Sequence, residues 1–384
     1  MNAVSKSSRR NLNGFSLVEL MVAMAIGLFG VLIMMQVFSL SEQNKQSTTS
    51  GNDAMNEGVV SLYALQRDVR MSGYGIADVK MMGCNVLLRA GVTLVAMAPV
   101  TINHPAIPLP DANTDTLLVV YANTNGSPQG DSITVPTTSV TVPSNLTLYT
   151  VQTPAAFTKG DWVIATPQVR TCATTASPLT PTLTLTQVAD TVTSTVPVAA
   201  GAGLAVAAVP STTPPTYPTL FNLGPRPPKI AAYAIRNGNL TMCDYTLNDC
   251  GAAISAGTAA NWVAIGNNIV SLRAQYGRDT AAAGAMDGIV DVFDQSLPQP
   301  STACDWVRVS AVRLALVARS VQAATAITSV APVWEGTLAN NPTGSTAAPI
   351  NLSGNAAWQN YRYKVFQTVV PLRNISWMGQ VTGC

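Results

Sequence analysis

The sequence predicts an α+β arrangement: a long N-terminal helix, transmembrane in its first half, packed on an antiparallel β-rich head. Three observations lead to this prediction. An uncharged apolar segment follows a short basic N-terminus, and a helical pattern continues directly from it. The rest of the chain alternates between Thr- and Val-rich strand patterns and turns.

The composition excludes several classes of protein. Charged residues make up 10% of the 384 residues, against about 25% in an average soluble protein. A coiled coil or long helical bundle is therefore not expected, because too few Glu, Lys and Arg side chains are present to solvate many helix faces. The net charge of +2 gives no field that would recruit nucleic acid, so nucleic acid is not an expected partner.

The first predicted element is a membrane-spanning helix. Residues 1–14 are polar, with three basic side chains and no acid, and residues 20–41 contain no charge. As a helix, this segment spans roughly 33 Å, close to the hydrocarbon thickness of a bilayer. Basic residues stay in the cytoplasm, which places the chain after residue 41 outside it. A cleaved signal peptide is the alternative, but the apolar run is too long and no small-x-small site follows.

One acidic residue lies at the start of the apolar segment. Glu19 stands within residues 14–20, GFSLVEL. A carboxylate in or near a membrane is costly, so it points to a function and needs a partner. Cleavage after Gly14 would give Phe15 a new α-amino group, which could neutralise Glu19 within one helix or between packed helices. Simple solvation of Glu19 in the headgroup layer is the alternative.

The helix is predicted to continue from Phe15 to about Met71. No Pro interrupts residues 42–71, and Gly73 and Gly75 follow as stop signals. An isolated amphipathic surface helix is the alternative to a helix packed on the head. The apolar residues at helical spacing, predicted to form the packed face, are Met55, Val59, Leu62, Leu65 and Val69.

Residues 76–384 have the pattern of a β-rich head. Asn237-Gly238 is a predicted hairpin turn, because both residues tolerate positive φ. Thr/Pro/Ala-rich stretches at about 173–220 and 322–350 are predicted surface loops or an inserted β subdomain within one head domain. The predicted strands and apolar runs are 116–121, 162–165, 182–188, 229–235, 240–242, 261–276, 307–319 and 361–371.

The start of the chain resembles the class III leader of type IV pilins and pseudopilins. A short basic leader ending in Gly is followed by Phe-Ser-Leu-Val-Glu-Leu and an apolar helix. The resemblance implies that a prepilin peptidase cleaves after Gly14 and N-methylates Phe15, and that Glu19 is the assembly carboxylate. The implied segments are a leader (1–14), a transmembrane helix (15–41), its amphipathic periplasmic continuation (42–75) and the head (76–384).

Further along, residues 68–74, DVRMSGY, resemble the helix end of PilW-like minor pilins, and residues 269–279, 312–320 and 371–374 are similar to the same group. The resemblance implies a minor pilin that primes type IV pilus assembly and sits at or near the pilus tip. It also implies an inner-membrane anchor, a periplasmic head, and display at the cell surface after assembly. The implied partners are prepilin peptidase, other minor pilins, the major pilin, the inner-membrane assembly platform and the lipid bilayer.

Two alternatives to a minor pilin remain open. One is a pseudopilin of a type II secretion system, which shares the leader and the long helix. The other is a membrane-anchored adhesin or binding module that does not polymerise.

Six cysteines lie in the part of the chain predicted to be periplasmic, where disulfides persist: Cys84, Cys172, Cys243, Cys250, Cys304 and Cys384. Fifteen pairings are allowed. Cys243 and Cys250 are close enough in sequence to close a hairpin loop and are the favoured pair. Cys384 is expected to pin the C-terminus, with Cys304 as its assumed partner, which leaves Cys84 with Cys172. The sequence has no Cys-x-x-Cys, so neither a zinc ribbon nor a thioredoxin-type pair is expected.

The sequence gives no support for catalysis or for a metal site. It lacks a phosphate-binding loop, a nucleophile elbow and a His-Glu-x-x-His helix. His104, the single histidine, lies in a Pro-rich stretch and is predicted at the surface. An EF-hand-type alignment of residues 279–294 puts Ala283 and Ala285 at two ligand positions, so an acidic turn between strands is predicted instead. No enzyme activity, cofactor or metal is therefore expected.

Overall fold

A computed structural model gives the structure of the chain. It describes residues 16–108, 110–124, 128–134, 148–167, 172, 183–199, 218–252, 259–282, 286–298, 303–323, 328–337, 347–376, 381 and 384. The chain divides into two compact units, one ending at Asn52 and the other running from Asp53 to Cys384, here called the head.

The longest element is helix α1, Leu17–Met71. Its segment Leu17–Glu42 is long and apolar enough to cross a membrane, and its side chains are exposed. The helix ends where predicted, because Gly73 and Gly75 adopt φ values of +81° and +71°, which glycine reaches without steric cost. The predicted first helical residue, Phe15, lies outside the described residues.

Beyond α1, the described part of the chain contains mostly short strands. Two short helices are α2, Ala303–Val307, and α3, Arg373–Ser376. The strands are β1 Cys84–Arg89, β2 Val92–Met97, β3 Val100–Ile102, β4 Leu117–Tyr121, β5 Asp131–Ser132, β6 Leu148–Tyr149, β7 Trp162–Thr166, β8 Leu183–Gln187, β9 Val196–Pro197, β10 Thr219–Gly224, β11 Lys229–Arg236, β12 Asn239–Asp244, β13 Val263–Gly266, β14 Ile269–Arg278, β15 Val292–Asp294, β16 Val309–Arg319 and β17 Tyr363–Pro371.

The strands form three larger sheets and one two-stranded sheet. Their orders are β2-β1-β8-β7-β10-β5, β13-β12-β11-β4-β3, β15-β14-β16-β17 and β6-β9. Neighbouring strands are antiparallel except β1 and β8, which are parallel. The long connection between β1 and β8 leaves room for the crossover that a parallel pair requires. The predicted α+β fold with an antiparallel β-rich head is confirmed.

Most predicted strands are present, with ends shifted by no more than two residues. The apolar run 261–276 is divided into β13 and β14 by a turn at Asn268, whose φ is +54°. The predicted hairpin turn is confirmed, since Asn237 and Gly238 both have positive φ. Part of the Thr-rich stretch 173–220 forms β8, β9 and the start of β10, and much of the rest lies outside the described residues.

Two large hydrophobic clusters fill the head. The first is built mainly on the six-stranded sheet and includes Val163 and Phe221. The second joins the five- and four-stranded sheets to α1, and Leu65 and Val69 of the helix belong to it. The head therefore provides one core of its own and one core that the helix completes.

The six cysteines form three disulfides, Cys84–Cys172, the favoured pair Cys243–Cys250, and Cys304–Cys384. The second closes the loop after β12. The third ties Cys384 to α2, so the end of the chain is fixed to the head.

The predicted surface position of His104 is wrong. Its side chain is only 2% exposed. Nε2 donates to the Val95 carbonyl oxygen at 2.7 Å, and Nδ1 accepts from the Ala106 amide at 3.2 Å, which fits a neutral ring. Burial lowers the pKa of His104. The turn at residues 104–107 folds back on β2, so this is a hydrogen-bonded core histidine.

Candidate functional site

The predicted processing residues Gly14 and Phe15 lie outside the described residues. Glu19 is described, in the first turn of α1, where its side chain is exposed among exposed apolar side chains. A carboxylate and a continuous apolar surface on one bare helix require lipid or other helices to cover them.

The part of α1 that belongs to the head packs through small residues. Ala54, Gly58 and Ser61 are buried at spacings of four and three. A Cβ atom placed on Gly58 would overlap the ring of Phe366 in β17. The helix backbone therefore approaches the sheet more closely than a longer side chain at residue 58 would allow.

The predicted packing face is partly wrong. Leu65 and Val69 are buried as predicted and Leu62 is half-buried, but Met55 and Val59 are 48% and 55% exposed. In this part of the helix the buried face is shifted by one residue, onto the small side chains. The shift arises because Phe366 occupies the space that a larger helix side chain would need.

This shift leaves apolar side chains uncovered on the opposite face of α1. Met55, Val59 and Tyr63 follow one another at intervals of four residues, and Tyr63 is 65% exposed. This spacing places them in one row, here called the outer stripe. A row of exposed large apolar side chains is typical of a surface that a partner covers.

A buried carboxylate fastens the last turns of α1 to the five-stranded sheet. Asp68 is 4% exposed and accepts hydrogen bonds from the hydroxyls of Tyr233 in β11 and, at 3.4 Å, of Tyr121 in β4. Burial, reinforced by the charge of Asp68, raises the pKa of both tyrosines, that of Tyr121 to about 12, so both remain protonated donors. We call these three residues the Asp68 clamp.

Residues distant in sequence bind the end of α1. The Asn374 side-chain amide donates to the carbonyl oxygens of Met71 at 3.2 Å and Ser72 at 2.9 Å. The Gly73 amide donates to the Val120 carbonyl oxygen at 2.9 Å. The unpaired carbonyls of the last helical turn thus gain a donor from the segment after β17.

The sequence patches that resemble PilW-like proteins meet around this helix end. Residues 68–74 form the end of α1, and residues 371–374 carry the cap. Residues 269–279 and 312–320 largely form β14 and β16, which pair along most of their length.

The roles of Tyr121 and Tyr233 were not predicted from the sequence. The available signal was an acidic residue, Asp68, adjacent to the buried apolar positions of the helix.

The acidic stretch 279–294 connects β14 to β15. The Asp279 carboxylate accepts from three backbone N–H groups between residues 281 and 288, and Asp294 accepts from Arg278 Nε at 2.9 Å. Among the described residues, no group of three or more metal-ligating side chains occurs. The segment thus satisfies these carboxylates with backbone amides and an arginine.

Two family models match the chain. The prokaryotic N-terminal methylation motif matches residues 9–35, and the type IV pilus-assembly protein W, PilW, matches residues 232–374. The two matches support a PilW-like, type IV pilus-related minor pilin. The leader motif, together with the one apolar helix found among the described residues, supports a single-pass membrane-anchored pilin. No curated protein and no solved structure matches it.

The matched region coincides with the part of the head that receives the helix. It begins in β11 beside Tyr233 and ends at Asn374, so it contains one side of the Asp68 clamp, the strand that packs on Gly58, and the helix cap. The strands that match PilW therefore form much of the surface on which the part of α1 in the head packs.

Replacing Gly58 by Ala is expected to destabilise the head by about 1–3 kcal/mol, because the added methyl group would meet the Phe366 ring. This loss would appear although Ala favours a helix by about 1 kcal/mol over Gly. Urea unfolding of the full chain in detergent, followed by tryptophan fluorescence, measures it.

Gly51→Ala is the matched control, because a Cβ on Gly51 meets nothing within 4 Å. It should leave stability unchanged or slightly raised. In the double variant Gly58→Ala/Phe366→Leu, we expect part of the lost stability to return. Equal effects of the Gly51 and Gly58 substitutions would contradict the close approach.

Proposed function

We propose that this PilW-like protein is a non-catalytic minor pilin that primes type IV pilus assembly and sits at or near the pilus tip. The observation that carries the proposal is the uncovered surface of α1. The large apolar side chains of its segment Leu17–Glu42 are exposed, and the outer stripe is an exposed apolar surface on the head. Packing against the helices of other minor pilins and of the major pilin would cover both.

Processing would prepare Glu19 for this packing. The proposed prepilin peptidase cleaves after Gly14 and methylates the new amine of Phe15, which keeps its positive charge. In a low-dielectric surrounding, this amine on a neighbouring helix is the cation that offsets the Glu19 carboxylate. Pairing between two subunits would fix the register of their helices, which simple burial of apolar side chains does not.

The basic leader supports an orientation for the anchor. Its three basic side chains would remain in the cytoplasm, which directs the head into the periplasm, where the three disulfides would persist. The proposed segments are therefore leader 1–14, transmembrane helix 15–41, periplasmic continuation 42–75 and head 76–384. The inner-membrane assembly platform would extract the protein from the lipid bilayer into the growing pilus.

Two substitutions test processing and assembly separately. Gly14→Leu should leave the leader uncleaved and Phe15 unmethylated, as measured by mass spectrometry of the N-terminus. Glu19→Ala should be cleaved normally yet reduce surface piliation at least tenfold, because the unpaired amine loses its counter-charge. Glu42→Ala, an acid at the other end of the apolar segment, is the matched control and should leave piliation unchanged.

The alternatives predict different outcomes. An anchored binding module would tolerate Glu19→Ala without loss of function at the cell surface. A type II pseudopilin would lose protein secretion on deletion while pili remain. Normal pili together with an uncleaved chain would contradict the proposal directly.

A further inference from the structure

A cleft of about 420 Å³ in the head is lined by both polar and apolar side chains. Its walls come from segments where strands begin or end: the turn before β4, the β11–β12 hairpin, the end of β16, residues 351–358 and the start of β17. The Asp68 clamp and the helix cap contribute none of its lining. We call it the Arg319 cleft.

Arg319 supplies a positive charge with unused hydrogen-bond donors. Its guanidinium lies over the Tyr361 ring, 4.5 Å from the centroid, and Nη2 donates to Asn268 Oδ1 at 3.2 Å. Nε is buried and has no partner among the described residues. A guanidinium held by stacking is suited to receive a carboxylate through two parallel hydrogen bonds from its two terminal nitrogens, Nη1 and Nη2.

Further donors line the same cleft. Asn351 and Asn355 each use the side-chain oxygen to accept a backbone N–H, from Ser353 at 2.9 Å and from Ala357 at 3.0 Å. This leaves both NH₂ groups available, since the described residues offer them no acceptor. Local turns therefore fix these donors before any ligand arrives, which lowers the entropic cost of binding.

Aromatic side chains and one acceptor complete the lining. Tyr363 donates its hydroxyl to the Trp358 carbonyl oxygen at 2.7 Å, which fixes both residues. The Trp358 indole N–H finds no acceptor in the described part of the chain. The two oxygens of Asp111 accept the amides of Asn237 at 3.0 Å and Gly238 at 2.8 Å and retain lone pairs for another donor.

We propose that the Arg319 cleft binds a saccharide that carries a carboxylate. The carboxylate pairs with Arg319, and hydroxyl or ring oxygens accept from Asn351 and Asn355. One hydroxyl donates to Asp111, and the apolar face of the sugar ring lies on the aromatic side chains. A neutral sugar leaves the guanidinium unpaired, and a dianionic phosphate is opposed by the Asp111 carboxylate in the same cleft.

Two sources present this chemistry: uronic acids of extracellular polysaccharides, and the lactyl carboxylate of muramic acid in cell-wall glycan. Isothermal titration of the full chain in detergent compares tetragalacturonate, its methyl ester, and the N-acetylglucosaminyl-N-acetylmuramic acid disaccharide. We expect at least one of the two acids to bind saturably and at least tenfold more tightly than the neutral ester. The acid with the higher affinity identifies the source.

Two variants locate this binding. Arg319→Gln should lower the affinity for the acidic saccharide at least tenfold and leave any binding of the ester unchanged. Asn355→Asp keeps the turn, because a carboxylate oxygen accepts the Ala357 amide equally well, but its charge should abolish binding of the acid. Arg362→Gln, an exposed arginine beside Tyr363 and absent from the cleft lining, is the matched control and should change affinity less than twofold.

Thermal melting confirms that each variant is folded. The proposal would be overturned if neither acid bound, or if the ester bound as tightly as the acid. It would also be overturned if Arg362→Gln lowered the affinity for the acid as much as Arg319→Gln does. It would also be overturned if Asn355→Asp bound the acid normally, or if the cleft variants impaired only binding to another pilin. The titration uses the purified chain, so its outcome does not depend on pilus assembly.

Discussion

Asp68→Ala is expected to lower the free energy of unfolding of the head by about 2–4 kcal/mol. The substitution removes the acceptor of the Tyr233 hydroxyl, which lies in the core between α1 and β11, and weakens the hold on Tyr121. A buried hydroxyl without a partner costs about 1–3 kcal/mol, and the lost bonds were made to a charged group. The midpoint of urea unfolding of the full chain in detergent measures the loss.

Two control variants distinguish the stability lost with the Asp68 clamp from a general destabilisation of the helix. Asp68→Asn keeps one acceptor oxygen and the shape of the side chain, so we expect a smaller loss. Asp53→Ala removes an exposed carboxylate from the same helix and should change stability by less than about 0.5 kcal/mol. If Asp68→Ala and Asp53→Ala unfolded at the same urea concentration, the clamp would contribute nothing to stability.

Removal of the disulfide between Cys304 and Cys384 is expected to cost about 4–5 kcal/mol. The two residues are 80 positions apart, and closing so long a loop restricts the unfolded chain strongly. The bond also fixes the backbone of Cys384, whose carbonyl oxygen accepts from Arg308 in the folded head. The double variant Cys304→Ser/Cys384→Ser, unfolded in urea beside the unmodified chain, tests this expectation.

The disulfide between Cys243 and Cys250 is the comparison, because it closes a loop of only seven positions. Its removal should cost about 2 kcal/mol on the same entropic argument. A larger loss for the short loop than for the long one would show that local contacts, and not restriction of the unfolded chain, set the contribution of these bonds.

Local signals explain the parts of the fold that the sequence predicts correctly. The uncharged run fixes the apolar half of α1, Gly73 and Gly75 end the helix because they reach positive φ, and Asn237-Gly238 forms the hairpin for the same reason. Each of these features depends on residues within a few positions of one another. β14, β16 and β17 are likewise visible as apolar runs in the sequence.

Features that depend on distant partners were missed or misplaced. The helix face shifted from Met55 and Val59 to smaller residues because a phenylalanine some 300 positions later fills the space. His104 is buried because a turn brings its side chain back to β2. The prolines near it in the sequence do not indicate this contact. The roles of Tyr121 and Asn374 follow from tertiary contacts alone, so no periodicity in the sequence could reveal them.

The cap on α1 has a consequence for biosynthesis. The helix leaves the ribosome early, whereas Phe366 and Asn374, which close on it, lie in a tail that is translated some 300 positions later. Until that tail has emerged, one face of the helix lacks a packing partner. Contacts between residues so far apart in sequence also form slowly. A truncated product lacking this tail would therefore leave its earliest segment exposed to proteases and chaperones.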